Sequence, residues 1–303
     1  MKNESVSEPL ETAGGYMIRP RVLLANGLRR ETSADLYNDI AGRLRARGIE
    51  VEIIHAMDGA GQTFQGYDLL ISNVVVPASM QAGMSTYAGR RVSRPTSLRL
   101  LAEFDVPTME WSLARTRREV RALFDAWSTE RVLLKPSFTY GGKGVRVFTR
   151  NAVWRLRWKR DVDVFCPEIN PDDGDVYKAE LLNGRVLISW KSAAPPIRML
   201  FRHGLHRGIR GAYGERSLWE LPSELTAKLE ALSRRLTFEG MSHVSVDLMR
   251  RADGELIAIE LNTGSVATWW TRQFSHFRNQ YTEALFELAV QHGTKREFYS
   301  TGG

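Results

Sequence analysis

Apolar runs along the chain are separated by polar, glycine-marked breaks, and their spacing predicts two regions of different architecture. Arg21-Val-Leu-Leu-Ala-Asn-Gly27 reads as a buried strand, and Ser33 is placed to cap a helix in which Leu36, Ile40 and Leu44 recur every fourth residue until Gly48. Val51–His55 and Tyr67–Ser72 supply two further strands. Strands alternating with a helix through short loops predict a small parallel α/β unit over residues 19–93. Residues 1–18 carry Ser, Glu, Gly and Pro without an apolar period and predict a disordered tail.

The rhythm changes at Pro95. Thr96–Phe104 and Thr116–Trp127 have helical apolar spacing and flank a short extended Val106–Met109. Arg131–Lys135 and Val145–Thr149 read as strands around a glycine loop, Asn151–Arg160 as a basic helix, and Val162–Ile169 as extended again. Asn183-Gly184 lies between the apolar runs Val176–Leu182 and Arg185–Ser192. Asp253-Gly254 lies between Val244–Met249 and Leu256–Leu261, so both dipeptides predict antiparallel hairpins. Helices over Ser223–Leu236 and Tyr281–His292 complete an α+β region, with no repeat period and no low-complexity tract.

Composition narrows the class. A chain of 303 residues that is 43% hydrophobic and 25% charged is globular and long enough for two or three subdomains. The single Cys166 excludes a disulfide framework and a cysteine-based zinc site. The polar, acidic N-terminus lacks the pattern of a signal peptide, and no apolar run is long enough for a membrane span, so a cytoplasmic location without a membrane partner is expected. The net charge of +7 admits nucleic acid, acidic lipid or an anionic substrate as partner. Its basic clusters (Arg90-Arg91, Arg117-Arg118, Arg155 to Arg160, Arg234-Arg235) show neither an RNA-binding sheet motif nor a zinc-finger framework. They read as solvated helix faces, and nucleic acid is disfavoured.

Three segments carry candidate chemistry. In Val132-Leu-Leu-Lys-Pro-Ser-Phe-Thr-Tyr-Gly-Gly-Lys-Gly-Val145, the glycines Gly141, Gly142 and Gly144 allow a tight turn that brings amide N–H groups against an anion, with Lys135 and Lys143 adding charge. It is neither a Walker A loop nor a dinucleotide fingerprint, and the alternative is an ordinary glycine-rich hairpin turn. In the hairpin Val244 to Asn262, residues 258, 260 and 262 alternate to one face of a strand, and the partner strand can bring Asp247 beside Glu260 and Asn262. Two carboxylates and an amide oxygen are hard donors suited to magnesium; the alternative is a plain solvent face. Arg202 and Arg207 sit in a predicted loop, with no nearby acid before Glu215, where guanidinium groups can fork onto phosphate or carboxylate oxygens. His203 and His206 in that loop read as hydrogen-bonding residues rather than as a metal pair. Beyond Asn262, Trp269, Trp270, Phe274 and Phe277 interleave with Arg272, His276 and Arg278, which suits a substrate pocket. Trp270, Phe274 and Phe277 also have helical spacing, so packing on the core is the competing reading.

Leu-Lys-Pro with Gly-Gly-Lys-Gly-Val, the hairpin Asp175-Val-Tyr-Lys-Ala-Glu-Leu-Leu-Asn-Gly-Arg, Phe-Arg-x-x-Leu-His-Arg-Gly, and Asp247 followed by Glu-Leu-Asn occur in this order. Together they resemble the ATP-grasp superfamily, nearest to the branch that ligates glutamate to ribosomal protein S6. The similarity covers about residues 95–265. It implies an ATP-grasp fold of two antiparallel-sheet subdomains clasping ATP, with residues 94–167 as the small lid subdomain, residues 168–303 as the C-terminal subdomain, and the α/β unit before them. By the same resemblance Lys135 and the loop Gly141, Gly142, Lys143 and Gly144 hold the ATP phosphates, and Cys166, Pro167, Glu168 and Ile169 form the hinge that reads adenine. Asp175 lies near the ribose with Lys178 beside the nucleotide, and Arg202 meets the terminal phosphate with Arg207 near it. Asp247, Glu260 and Asn262 hold magnesium or manganese. Independently of the resemblance, Trp269, Trp270 and Arg272 follow the metal-binding strand directly and are the candidates for substrate contact.

Three departures stand out. Arg94-Pro95-Thr96 replaces the Asp-Lys that often opens the ligase region and supplies a phosphate-binding lysine. Gly204 stands where the S6-modifying branch has Asn, and Thr263-Gly-Ser-Val follows Asn262 in place of Ala-Ser-Pro-Gly. The expectation is an ATP-dependent carboxylate–amine ligase that works through an acyl phosphate on small-molecule or peptide substrates. A small-molecule kinase and a nucleotide sensor without turnover are the alternatives, and a homo-oligomer is left open. The intact Asp247, Glu260 and Asn262 weigh against the sensor.

Overall fold

The computed structural model describes residues 20–27, 31–58, 62, 64–81, 83–138, 144–168, 175–193, 200–202, 205–207, 216–264 and 275–300. Its first sheet is parallel, built from β1 (Arg21–Asn26), β2 (Glu50–His55), β3 (Leu69–Ser72) and β4 (Ser85–Tyr87) in the order β2-β1-β3-β4. Helix α1 (Glu31–Ala46) lays Leu36, Tyr37, Ile40 and Leu44 on this sheet, which also buries Val22, Leu24 and Ile71. The helix starts two residues before Ser33, so Ser33 belongs to its first turn and does not cap it.

Two antiparallel sheets follow. The second has the order β10-β11-β6-β5-β7, from β5 (Arg131–Lys135), β6 (Arg146–Thr149), β7 (Val164–Pro167), β10 (Leu200–Arg202) and β11 (Leu205–Arg207). The third has the order β12-β9-β8-β13-β14, from β8 (Asp175–Leu182), β9 (Arg185–Ala193), β12 (Arg216–Leu218), β13 (His243–Arg250) and β14 (Leu256–Thr263). Arg202 and Arg207 therefore lie in paired strands, not in the expected loop, because β6 offers an edge on which β11, and β10 beyond it, can pair. Asn151–Arg160 is not a helix either. A 3₁₀ turn over Arg150–Arg155 gives way to extended chain, since Val153 and Leu156 bury at a spacing of three. Trp158 Nε1 then donates to Ala114 O (2.6 Å), and the Lys159 amide donates to Asp163 Oδ2 (2.8 Å).

The segment 106–112 joins the two antiparallel sheets through its backbone. Ala258 N donates to Pro107 O (2.7 Å) and Met109 N to Ala258 O (3.1 Å), while Ser112 and Phe165 exchange two bonds of 2.9 Å. Helix α2 (Arg94–Glu103) is capped by Ser93, and α3 (Arg117–Ala126) by Thr116, whose side chains accept from the Thr96 and Glu119 amides. Helices α2 and α4 (Ser223–Phe238) supply Leu98, Leu101, Leu229, Leu232 and Leu236 to the core on one face of the third sheet. On its other face, α5 (Ser275–Ser300) packs Phe277, Tyr281, Leu285 and Leu288 against Leu182, Trp190 and the first sheet's core. Phe277 follows the core-packing alternative. A buried polar chain crosses the junction: His243 Nε2 lies 2.6 Å from Tyr281 OH, Tyr281 OH 3.4 Å from Tyr37 OH, and His243 Nδ1 2.8 Å from Ser242 Oγ and 3.3 Å from Ser72 O.

The β8–β9 turn is the predicted two-residue type, with Asn183 at φ 49° and Gly184 at φ 75°. The second hairpin has a longer connection, in which Arg251 N donates to Glu255 O and only Gly254 takes a positive φ. A Cβ on Gly184 would lie 2.2 Å from Arg234 Cγ, whereas one on Gly42, exposed in mid-helix, would meet nothing within 4 Å. Gly184→Ala is expected to destabilise by about 1–2 kcal/mol, and Gly42→Ala to stabilise by about 0.5–1 kcal/mol. Urea unfolding of the two variants against the parent checks the pair.

Candidate active site

The site lies on the same face of the third sheet as α5, further along the strands than Leu182 and His243, which α5 covers. Register sets it: Asp247 pairs with Glu260 on β14 and with Lys178 on β8, and Ser245 in the next row pairs with Asn262 and Glu180. A bulge between positions 247 and 248 of β13 inserts one extra residue of β14, so Leu248 faces Ala258 while Asp247 faces Glu260. Residue 258 consequently shares Leu248's core face, correcting the expected alternation, and only Glu260 and Asn262 join Asp247.

Within this cluster Asn262 Nδ2 donates to Asp247 Oδ2 (3.0 Å), and Lys178 Nζ lies 3.1 Å from Asp247 Oδ1. Arg94 Nη2 lies 3.3 Å from Glu260 Oε1. The two carboxylates are each about a quarter exposed, whereas the Arg94 side chain is only 7% exposed. Arg94 stands in the first turn of α2, where the helix dipole opposes a cation, so its burial there requires the anionic partner it has. Its amide donates to Ser137 Oγ (2.9 Å) and its Nε to Pro136 O (3.4 Å), which ties the carboxylate face to the chain just after β5. A cavity of about 30 Å³ opens between Arg94, Ser137, Phe138, Glu260 and Asn262.

Lys135 ends β5 with its Nζ 3.1 Å from Met109 Sδ. Burial pushes the Cys166 thiol above its ordinary pKa, and Lys135 and Arg94 pull it part of the way back; the two cations thus converge on the junction of the sheets. A fully buried thiol of raised pKa is packing and not a nucleophile. Pro167 closes β7, Glu168 pairs with Arg131 (3.3 Å), and Asp175 pairs with Lys191 (3.1 Å). Gly144 holds φ 77°, as a tight glycine turn requires.

Gly141, Gly142, Lys143, Ile169, Trp269, Trp270 and Arg272 lie outside the described residues, as do the side chains of Arg202 and Arg207. The larger cavity, about 570 Å³, lies away from the carboxylates, between β9, Leu218, Trp219 and the start of α5 at His276, Phe277 and Gln280. Arg94 and Ser245 are among the polar residues of the site, with Ser137 and Glu180, that the sequence alone did not place there. A basic residue at a capped helix start was the available signal for Arg94. Nothing local marks Ser245, whose buried Oγ has no hydrogen-bond partner.

One parallel α/β unit, then two antiparallel sheets joined through the backbone of 106–112, with paired carboxylates on one of them, define the architecture. This chain has the ATP-grasp fold. Among solved ATP-grasp structures, it is similar to D-cycloserine synthetase DcsG with a TM-score of 0.60 at 16% identity, over 88% of this chain and 99% of that one. It is similar to the ATP-grasp ligase PsnB complexed with precursor peptide PsnA2 and AMPPNP, with a TM-score of 0.59 at 12% identity over 92% and 100% of the two chains. For D-alanine–D-alanine ligase from Bacillus anthracis the values are 0.57, 14%, 91% and 99%. No family model matches the chain, and no curated protein matches it. Among the described residues, no helix is long and apolar enough to cross a membrane.

Proposed function

We propose that this chain is an ATP-dependent carboxylate–amine ligase, forming an amide through an acyl phosphate with release of ADP and phosphate. The observation that carries the reading is the Asp247–Glu260 pair with Asn262, flanked by Lys178 and Arg94, in an ATP-grasp fold whose Lys135 and Arg94 both act on Cys166. Structures of similar fold whose names are those of a synthetase and of ligases support it.

ATP and a carboxylate repel each other, so the site must gather positive charge before they can react. Arg94 and Lys135 supply it from buried or half-buried positions where it is weakly screened. Arg94 stands where the lysine of the Asp-Lys pattern would otherwise contribute. The glycine loop at 141–144 with Lys143 covers the phosphates, Cys166 to Ile169 line the adenine, and Asp175 lies by the ribose. Arg202 and Arg207 meet the transferred phosphate, and Trp269, Trp270 and Arg272 receive the substrate. The hard oxygen donors of Asp247, Glu260 and Asn262 fit magnesium, with Lys178 and Arg94 balancing their charge in its absence. When bound, magnesium neutralises phosphate charge. The resemblance of the motifs to the S6-modifying branch stops at Thr263, so the acceptor is proposed to differ from that branch's.

Trapping tests the reading. With ATP, magnesium, a panel of amino acids and peptides as carboxylates, and hydroxylamine as the amine, a hydroxamate is the expected product, detected by mass spectrometry. A stable phosphorylated product accumulating in step with ADP would make the protein a kinase instead.

A further inference from the structure

The net charge is unevenly spread. Residues 111–168 hold 13 of the 42 Lys and Arg but 6 of the 35 Asp and Glu, which leaves 29 of each sign in the rest of the chain. This one segment therefore carries the whole excess of +7. Its outer layer is α3 laid beside residues 150–161. Val120 and Phe124 pack on Ala152, Val153 and Leu156, Arg115 pairs with Asp161 at one end (2.8 Å), and Arg150 pairs with Asp125 at the other. Arg117, Arg118 and Arg121 are exposed on α3, and Arg155, Arg157, Lys159 and Arg160 are exposed on the adjoining segment. None of these seven makes an ion pair with a described residue. The ATP chemistry proposed above uses none of them.

We infer that this outer layer is a docking surface for an acidic stretch of polypeptide. Six of the seven cations are arginine, whose planar fork matches a carboxylate through two hydrogen bonds. Exposed carboxylates of Glu119, Asp125, Glu130 and Asp161 are interspersed among them. A nucleic-acid strand carries regularly spaced phosphates, in a duplex about one per 3.4 Å of helix axis on each strand, and would press several against these acids, whereas side chains of a flexible peptide can reach the cations and avoid the acids. Stacking platforms for bases are also lacking among the described residues of this layer. Trp154 is its one well-exposed aromatic, and the Arg155 guanidinium sits 4.6 Å from the centre of that ring. A segment held here is tethered to the sheet that carries Lys135, which raises its local concentration near the cleft.

The surface can be tested apart from the ligase reading. A fluorescent decaglutamate peptide titrated with the full chain at low salt is expected to bind, to weaken on raising salt, and to lose at least tenfold in affinity in Arg117→Glu/Arg121→Glu/Arg157→Glu/Arg160→Glu. The same variant should bind a non-hydrolysable ATP analogue as the parent does, which certifies its fold; the milder Gln versions should fall between. Equal peptide affinity in parent and variant would overturn the inference. So would tighter binding of a ten-nucleotide oligothymidylate than of decaglutamate, which would make the partner a nucleic acid.

Discussion

The Asp247→Asn/Glu260→Gln double variant is expected to lose the magnesium dependence of ATP-analogue binding, with the affinity measured in magnesium falling by about 100-fold or more. Each substitution preserves shape and removes one negative charge. Asn262 now binds the Asp247 carboxylate at 3.0 Å, and either amide can keep a hydrogen bond in that place, so the hairpin should fold as before. The cations remain: Lys178 lies 3.1 Å from one altered group and Arg94 3.3 Å from the other, and each would lose an anionic neighbour. Affinity for the nucleotide without metal should therefore hold or rise while the metal-supported part disappears. Calorimetric titration of AMPPNP with and without magnesium reads both arms. A parent-like response to magnesium in the double variant would remove the metal from this face. A variant that loses both arms would instead indicate a collapsed site.

The second expected result concerns acid. Burial lowers the His243 pKa from 6.5 to about 4, against a smaller opposing contribution from the Ser72 carbonyl. The folded chain thus holds this imidazole neutral through a pH range in which the unfolded chain protonates it. Fewer bound protons in the folded state mean that stability is full above pH 6.5 and drains away as the pH falls towards about 4. At about 1.4 kcal/mol per pH unit, roughly 2.5 kcal/mol should be lost between pH 7.5 and 4.5. His243→Gln should be less stable than the parent at pH 7.5, and that deficit should shrink by the same amount at pH 4.5, since the carboxylates common to both titrate alike. Urea midpoints at the two pH values give the answer. A deficit that does not change with pH would mean that the imidazole is charged inside the fold or is not buried.

Much of this architecture was legible because period and turn chemistry are local. Four-residue recurrence found α1, Asn183-Gly184 found the β8–β9 hairpin, and Asp247 with Glu260 and Asn262 could be placed together from hairpin pairing alone. What escaped depended on distant partners. The 3₁₀ turn at Arg150–Arg155 is set by packing on α3 and by the Asp163 carboxylate; a helix was the better local reading. Strands β10 and β11 form on the edge of β6, which a reading of residues 200–207 alone does not contain. Arg94 looked like a lost lysine because its partner Glu260 is 166 residues away along the chain. Its position against the helix dipole could have raised the question, but only the packed sheets answer it.

The bulge in β14 bears on which parts of this chain are free to drift. Residues 251–255 connect the hairpin in solvent, and their length can change without moving Asp247 relative to Glu260, because pairing is fixed within the strands. Between Glu260 and Asn262 there is no such freedom. Deleting Leu261 would set Asn262 against Val246 and turn its amide towards the core, and adding a residue would displace it equally. Lineages of such a fold can therefore accumulate insertions at hairpin tips and changes in nearly every side chain, yet keep the Glu-x-Asn parity after the bulge.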